Sequence, residues 1–187
     1  MTEPDRQQRE ASARVFFALW PDTAVRDALY RHGQALHRAL GGKLTRIDSV
    51  HLTLLFLGDV AQSRLAALHR IGEAVRFAPF SMQIDTAECW RHNDIAWVGP
   101  RRMPPELPQL VGQLEVAASE AGFAFDRRPY AAHVTLVRKA KCRRLDLAPI
   151  DVQWPVSEFV LVRSRLQPEG SRYEVIGRWE NAGKTEV

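Results

Sequence analysis

Val50-His51-Leu52-Thr53-Leu54-Leu55-Phe56-Leu57-Gly58-Asp59 is the stretch on which the fold turns. Its apolar run, stopped by Gly58-Asp59, predicts a strand that ends in a turn. Successive side chains on a strand alternate faces, so His51 and Thr53 share one face with Cα atoms roughly 6.7 Å apart, while the aliphatic residues between them enter the core. The stretch Ala132-His133-Val134-Thr135-Leu136-Val137 repeats the pattern 133 − 51 = 82 residues later. One His-x-Thr strand reads most simply as a structural histidine on a sheet. Two copies predict a pair of strands facing each other across a cleft.

Outward from these strands the chain alternates elements. Arg14 to Trp20 is rich in strand formers, and Pro21-Asp22-Thr23 starts an amphipathic helix ending near Gly41-Gly42. A short strand is expected at 44–47, a helix at 63–75, paired strands at 80–90 and 95–98 across Arg91 to Asp94, and a helix at 104–121. Strands at 132–137, 159–166 and 173–179 close the chain, and 149–155 reads as a connecting loop. Hairpins beside strand-helix-strand units predict α+β architecture: two pseudo-symmetric lobes with largely antiparallel sheets around a central cleft. Residues 1–13 and 181–187 read as tails flanking a single bilobal domain over 14–180.

The 187 residues, 45% apolar, suit one compact globular unit. A formal net charge of +4 favours an anionic partner. Much of the excess lies in Arg101, Arg102, Arg127, Arg128, Arg138, Lys139, Lys141, Arg143 and Arg144, a set in which solvated surface charge and phosphate contact compete as readings. The two cysteines, Cys89 and Cys142, lack the close spacing of zinc sites or redox pairs. With no leader and no membrane-spanning run, this predicts a reduced, cytoplasmic setting. There is no His-Glu-x-x-His, no phosphate-binding Gly-Lys loop and no Gly-x-Ser-x-Gly elbow, so no metal or cofactor is expected.

Histidine suits phosphodiester cleavage because its ordinary pKa near 6.5 lets one imidazole act as base and another as acid around neutrality. A threonine hydroxyl two residues on can donate to a non-bridging phosphate oxygen and fix the phosphorus between the rings. His32, His37, His69 and His92 fall on expected helices or a turn and are given no catalytic role. Among the aromatics, Phe56 and Trp97 read as core, and Tyr130 as a candidate base-stacking residue.

The two His-x-Thr-Leu motifs resemble those of the two-histidine (2H) phosphoesterase superfamily, specifically its RNA 2',3'-cyclic phosphodiesterase family, long called 2'-5' RNA ligase. Phe16-Phe17-Ala18-Leu19, Leu55-Phe56-Leu57-Gly58, Trp97-Val98-Gly99-Pro100 and Arg128-Pro129-Tyr130 resemble its other segments, in order. One departure is Ala132 before His133, where many relatives have proline. A monomer is expected. The resemblance implies His51 and His133 as the catalytic pair, Thr53, Thr135 and Arg138 as phosphate contacts, and a metal-free enzyme. It also implies His133 as base and His51 as acid. Arg138 stands five residues after His133, an odd offset that a regular strand would turn to the opposite face. The implied substrates are RNA ends bearing 2',3'-cyclic phosphate or small cyclic nucleotides. Competing readings are 2'-5' RNA ligation, 2'-5' oligonucleotide cleavage, and a non-catalytic RNA-binding module.

Overall fold

The computed structural model describes residues 11–142, 149–167 and 170–180. Strand β1 (Ser12–Leu19) leads to helix α1 (Thr23–Leu40), which begins where the Asp22 carboxylate accepts the Val25 N–H at 2.8 Å, a side-chain cap for an otherwise unpaired donor. Then follow β2 (Lys43–Leu44), β3 (Leu52–Ala61), α2 (Leu65–Ala74), β4 (Phe80–Ile84), β5 (Thr86–Trp90), β6 (Ile95–Gly99), α3 (Glu106–Glu120), β7 (Val134–Arg138), β8 (Val152–Val156), β9 (Glu158–Gln167) and β10 (Gly170–Glu180). They form one sheet in the order β10-β9-β1-β3, a second in the order β2-β7-β6-β5, and the two-stranded pair β4-β8. Every pairing is antiparallel. The α+β class and the two sheet-bearing lobes agree with the sequence reading.

The lobes interlock. Helix α1, which follows β1 of the first sheet, packs on β7 of the second, while α3, which follows β6 of the second sheet, packs on β3 of the first. The main apolar core therefore runs from Phe17 and Leu52 through Leu107 to Leu136 and Trp154, with a smaller cluster of Phe16, Ala18, Val160 and Val162 apart from it. Each such fully buried aliphatic side chain is worth roughly 1.5–3 kcal/mol, and its loss is felt by both lobes. Among the described residues no helix is long and apolar enough to cross a membrane.

Several expectations need correction. Of the loop expected at 149–155, only 149–151 lack regular structure; from Val152 the chain is strand β8, with Val152, Trp154 and Val156 buried in alternation with exposed Gln153 and Pro155. Proline is tolerated there because a two-stranded sheet consists of edge strands, where a missing N–H need not break a ladder. The run 80–90 is two strands in different sheets, broken at Asp85, whose N–H donates to the Gly99 carbonyl and whose carboxylate accepts the Arg101 N–H. The strand expected at 44–47 shortens to Lys43–Leu44 and gives way to a 3-10 turn at Ile47–Ser49. Strand β1 starts at Ser12, inside the assigned tail. Residues 1–10 and 181–187 of the expected tails, with Arg143 and Arg144, lie outside the described residues. Finally, Cys89 and Cys142, expected reduced, form a disulfide across 53 residues of sequence. Spacing gave no sign of it, because the second sheet brings the two together.

One detail positions the site. Opposite β1, Phe17 pairs with Leu55 and Ala18 with Thr53, leaving Leu54 as an extra residue; opposite β6, Ala96 pairs with Val137 and Trp97 with Thr135, leaving Leu136 extra. Both motif strands thus carry a β-bulge three residues after the histidine. A bulge shifts the face alternation by one residue. Accordingly Leu54 and Leu55 are both buried and Phe56 exposed, while Leu136 and Val137 are both buried and Arg138 exposed. The bulge returns Arg138 to the face of Thr135, which resolves its odd offset.

Candidate active site

His51 and His133 each stand immediately before their strand, β3 and β7. The Nδ1 of His51 lies 2.7 Å from the Ser49 carbonyl oxygen and that of His133 lies 2.8 Å from the Ala131 carbonyl oxygen. A carbonyl only accepts, so each Nδ1 carries its proton and each Nε2 is left as the reactive nitrogen. The two motifs reproduce this arrangement independently, two residues back in each case.

The surroundings of the two rings differ. His51 lies in an aromatic enclosure: Trp20 stacks on it at 5.6 Å between centroids, Phe16 lies at 4.9 Å and Tyr173 meets it edge-on at 5.1 Å. Burial there, helped by the charges of Arg138 and His133 and opposed by the bond to Ser49, pushes its pKa down to about 4. His133 meets the edge of Trp90 at 4.6 Å and faces Trp97 at 6.3 Å. Its pKa is likewise lowered, by burial first and then by Arg138, against the Ala131 carbonyl. Because Arg138 acts on both imidazoles, and His133 on His51, the two motifs belong to one site.

A cleft of about 530 Å³ opens there, walled by Thr53, Phe56, Trp90, Tyr130, His133 and Arg138, among others. Thr135 is half-buried on β7 and is not part of that wall. Arg138 is exposed and makes no ion pair among the described residues, a free cation beside two neutral rings. By contrast Arg128 is occupied by Asp126. The Tyr130 hydroxyl donates to the Thr53 carbonyl at 3.2 Å, tying the loop before the second motif to the strand of the first. Phe56 is no core residue: it is 40% exposed, with the Arg14 guanidinium 5.5 Å from its ring centroid. Trp97 is half-buried beside His133 rather than deep in the core. Sequence reasoning missed Trp90, Trp20 and Tyr173, because nothing local distinguishes an aromatic residue that borders an imidazole from one that fills a core.

The lowered pKa values fix a pH dependence. In the free protein both imidazoles are neutral at pH 7, and chemistry that needs one of them protonated loses rate as pH rises past the higher of the two pKa values. The bell in kcat/KM should therefore peak between about pH 4 and 6.5, falling roughly tenfold per unit above that window. A bound phosphate anion favours imidazolium, so the alkaline limb of kcat should lie at higher pH than that of kcat/KM. Initial rates from about pH 3 to 9 on a cyclic nucleotide would check both limbs.

The family model described as "LigT like Phosphoesterase" matches residues 19–97 and 98–173. A curated relative, the RNA 2',3'-cyclic phosphodiesterase of Escherichia coli (strain K12), is 31% identical over 169 residues, covering 89% of this chain and 95% of its own. The protein of that name from Thermus thermophilus is 30% identical over 187 residues, covering 91% of each. The crystal structure of E. coli LigT complexed with 3'-AMP superposes with a TM-score of 0.83 at 28% identity, covering 92% of this chain and all of the other.

Proposed function

Since the chain belongs to the LigT-like phosphoesterase family, we propose that it hydrolyses 2',3'-cyclic phosphates at RNA ends to 2'-phosphomonoesters, without a metal, with His133 as general base and His51 as general acid. The observation that carries this reading is the matched pair of imidazoles, each with Nδ1 committed to a carbonyl and both within the field of Arg138, with His133, Thr53 and Arg138 lining one cleft and His51 in its aromatic enclosure outside that lining. The relatives named for this activity and the LigT structure holding 3'-AMP support the substrate class.

In the proposed step Arg138, Thr53 and Thr135 hold the non-bridging phosphate oxygens. His133 Nε2 removes a proton from water as its oxygen bonds to phosphorus. The bond from phosphorus to O3' breaks, and the His51 Nε2 proton passes to the departing oxygen, leaving a free 3'-hydroxyl and a 2'-phosphate. The division of labour follows the family's order. Burial makes His51 the harder of the two rings to protonate in the free protein, so the step relies on the bound phosphate anion to favour the His51 imidazolium. Phe56 and Tyr130 line the cleft, and in this reading they stack on the nucleobase, the usual way single-stranded RNA is held.

Every proton transfer and phosphate contact in the proposed step is assigned to a side chain of this protein, so metal independence is part of the proposal. Turnover of a dinucleotide ending in 2',3'-cyclic phosphate, followed by phosphorus NMR in excess EDTA, tests the whole reading. Undiminished conversion to the 2'-phosphate is expected. Loss of activity on chelation, or a 3'-phosphate product, would overturn it.

A further inference from the structure

We propose that the Cys89–Cys142 disulfide is a redox-operated brace for the cleft wall that bears on His133. The proposal concerns regulation of the site just described and rests on that reading for its effect on turnover. Strand β5 is the edge of the second sheet and has β6 as its neighbour on one side. Its last residue is Trp90, and the turn beyond it, where Asp94 takes φ 56°, leads straight into β6. Trp90, His92, Asn93 and Ile95 from this hairpin tip all line the cleft, and the Trp90 ring abuts His133.

Strand β5 is also held by the disulfide, which leaves it at Cys89, opposite the buried Ala96 in the ladder. Cys89 is the residue before Trp90, and Cys142 follows a residue fixed outside the hairpin, the Lys141 N–H donating to the Leu40 carbonyl at the end of α1 at 2.9 Å, while the Ala140 N–H donates to Asp94 of the hairpin turn itself. When the bond is closed, the end of β5 is secured to a pinned segment as well as to β6. When it is open, the ladder to β6, the Ala140–Asp94 hydrogen bond and ring packing on Trp97 and His133 are what set where Trp90 stands, with no covalent tie one residue away. Both cysteines are half-buried, within reach of a small thiol. Opening needs a reductant of the dithiol class. One of its thiolates attacks a protein sulfur to form a mixed disulfide, its second thiol displaces that sulfur, and two electrons and two protons reach the protein as the reductant closes its own disulfide.

The test compares the full chain, oxidised, with the same preparation reduced by dithiothreitol, the thiols being counted by alkylation and mass spectrometry in each. Reduction is expected to lower kcat/KM for 2',3'-cyclic AMP by about tenfold, as small misplacements at a reacting centre do, and reoxidation to restore it. Cys89→Ser and Cys142→Ser should each show the reduced value with or without reductant, and Trp90→Leu should make the oxidised and reduced forms equal. Amide exchange over residues 90–95 gives a reading independent of turnover and should quicken on reduction. Unchanged exchange with the bond confirmed open, equal turnover in the two forms, or two free thiols in the unreduced protein would overturn the brace. Absence of turnover in every form, with exchange still responsive, would instead refute the assigned reaction and leave the brace standing.

Discussion

His51→Ala and His133→Ala are each expected to lower kcat/KM on a 2',3'-cyclic nucleotide by roughly 10² to 10⁴, the usual worth of one positioned proton transfer. The double variant should be little worse than either single one, because an acid and a base that act on the same transition state fail together. A structural role predicts a different pattern. His51 is surrounded by Phe16, Trp20 and Tyr173, so alanine there also opens a cavity, and His51→Asn serves as the control that keeps most of the volume. Thermal unfolding of each variant alongside its kinetics separates the two causes. Near-normal turnover in either folded alanine variant would remove that residue from the chemistry.

The second large effect belongs to Arg138. Its guanidinium stands on the same face as Thr135 only because of the bulge at Leu136, and a charge-assisted bond to phosphate at that place is worth about 1.5–3 kcal/mol. Arg138→Ala should accordingly lower kcat/KM by roughly ten- to a hundredfold, whereas Arg102→Ala, at an exposed bend after β6, should change it little. The pH profile adds a signature that a merely structural role would not give. Arg138 lowers the pKa of both imidazoles, so in Arg138→Ala both limbs of the bell should move to higher pH. Phe56, which occupies the matching place after the bulge in β3, carries no charge, and Phe56→Ala should raise KM for a nucleotide while leaving both limbs where they are. Equal, salt-sensitive losses in Arg138→Ala and Arg102→Ala would point instead to general attraction for a polyanion.

Much of this was legible in the sequence, for reasons that can be named. The strand period placed His51 with Thr53 and His133 with Thr135, and the repeated motif pointed to two lobes and one cleft. What local pattern does not carry is the insertion of one residue into a ladder. Without the bulges at Leu54 and Leu136, alternation puts Phe56 and Arg138 on the wrong faces, which is why Phe56 read as core and Arg138 as awkward. The disulfide was hidden for a related reason: residues 53 apart in sequence meet through the order of strands in the second sheet, a tertiary fact. Strand β8 escaped because Pro149 and Pro155 suggest a loop, although Val152, Trp154 and Val156 keep the two-residue period of a buried strand edge.

The central claim is that one imidazole takes a proton from water and the other gives one to the departing oxygen, and a substrate that needs no proton on departure tests it most directly. In a 2',3'-cyclic phosphate whose bridging O3' is replaced by sulfur, the leaving thiolate is stable without an acid. The account predicts that this substrate restores most of the rate lost in His51→Ala, relative to the unmodified protein, and little of the rate lost in His133→Ala. Restoration of His133→Ala alone would reverse the two roles. Equal response of the two variants would contradict a division between acid and base.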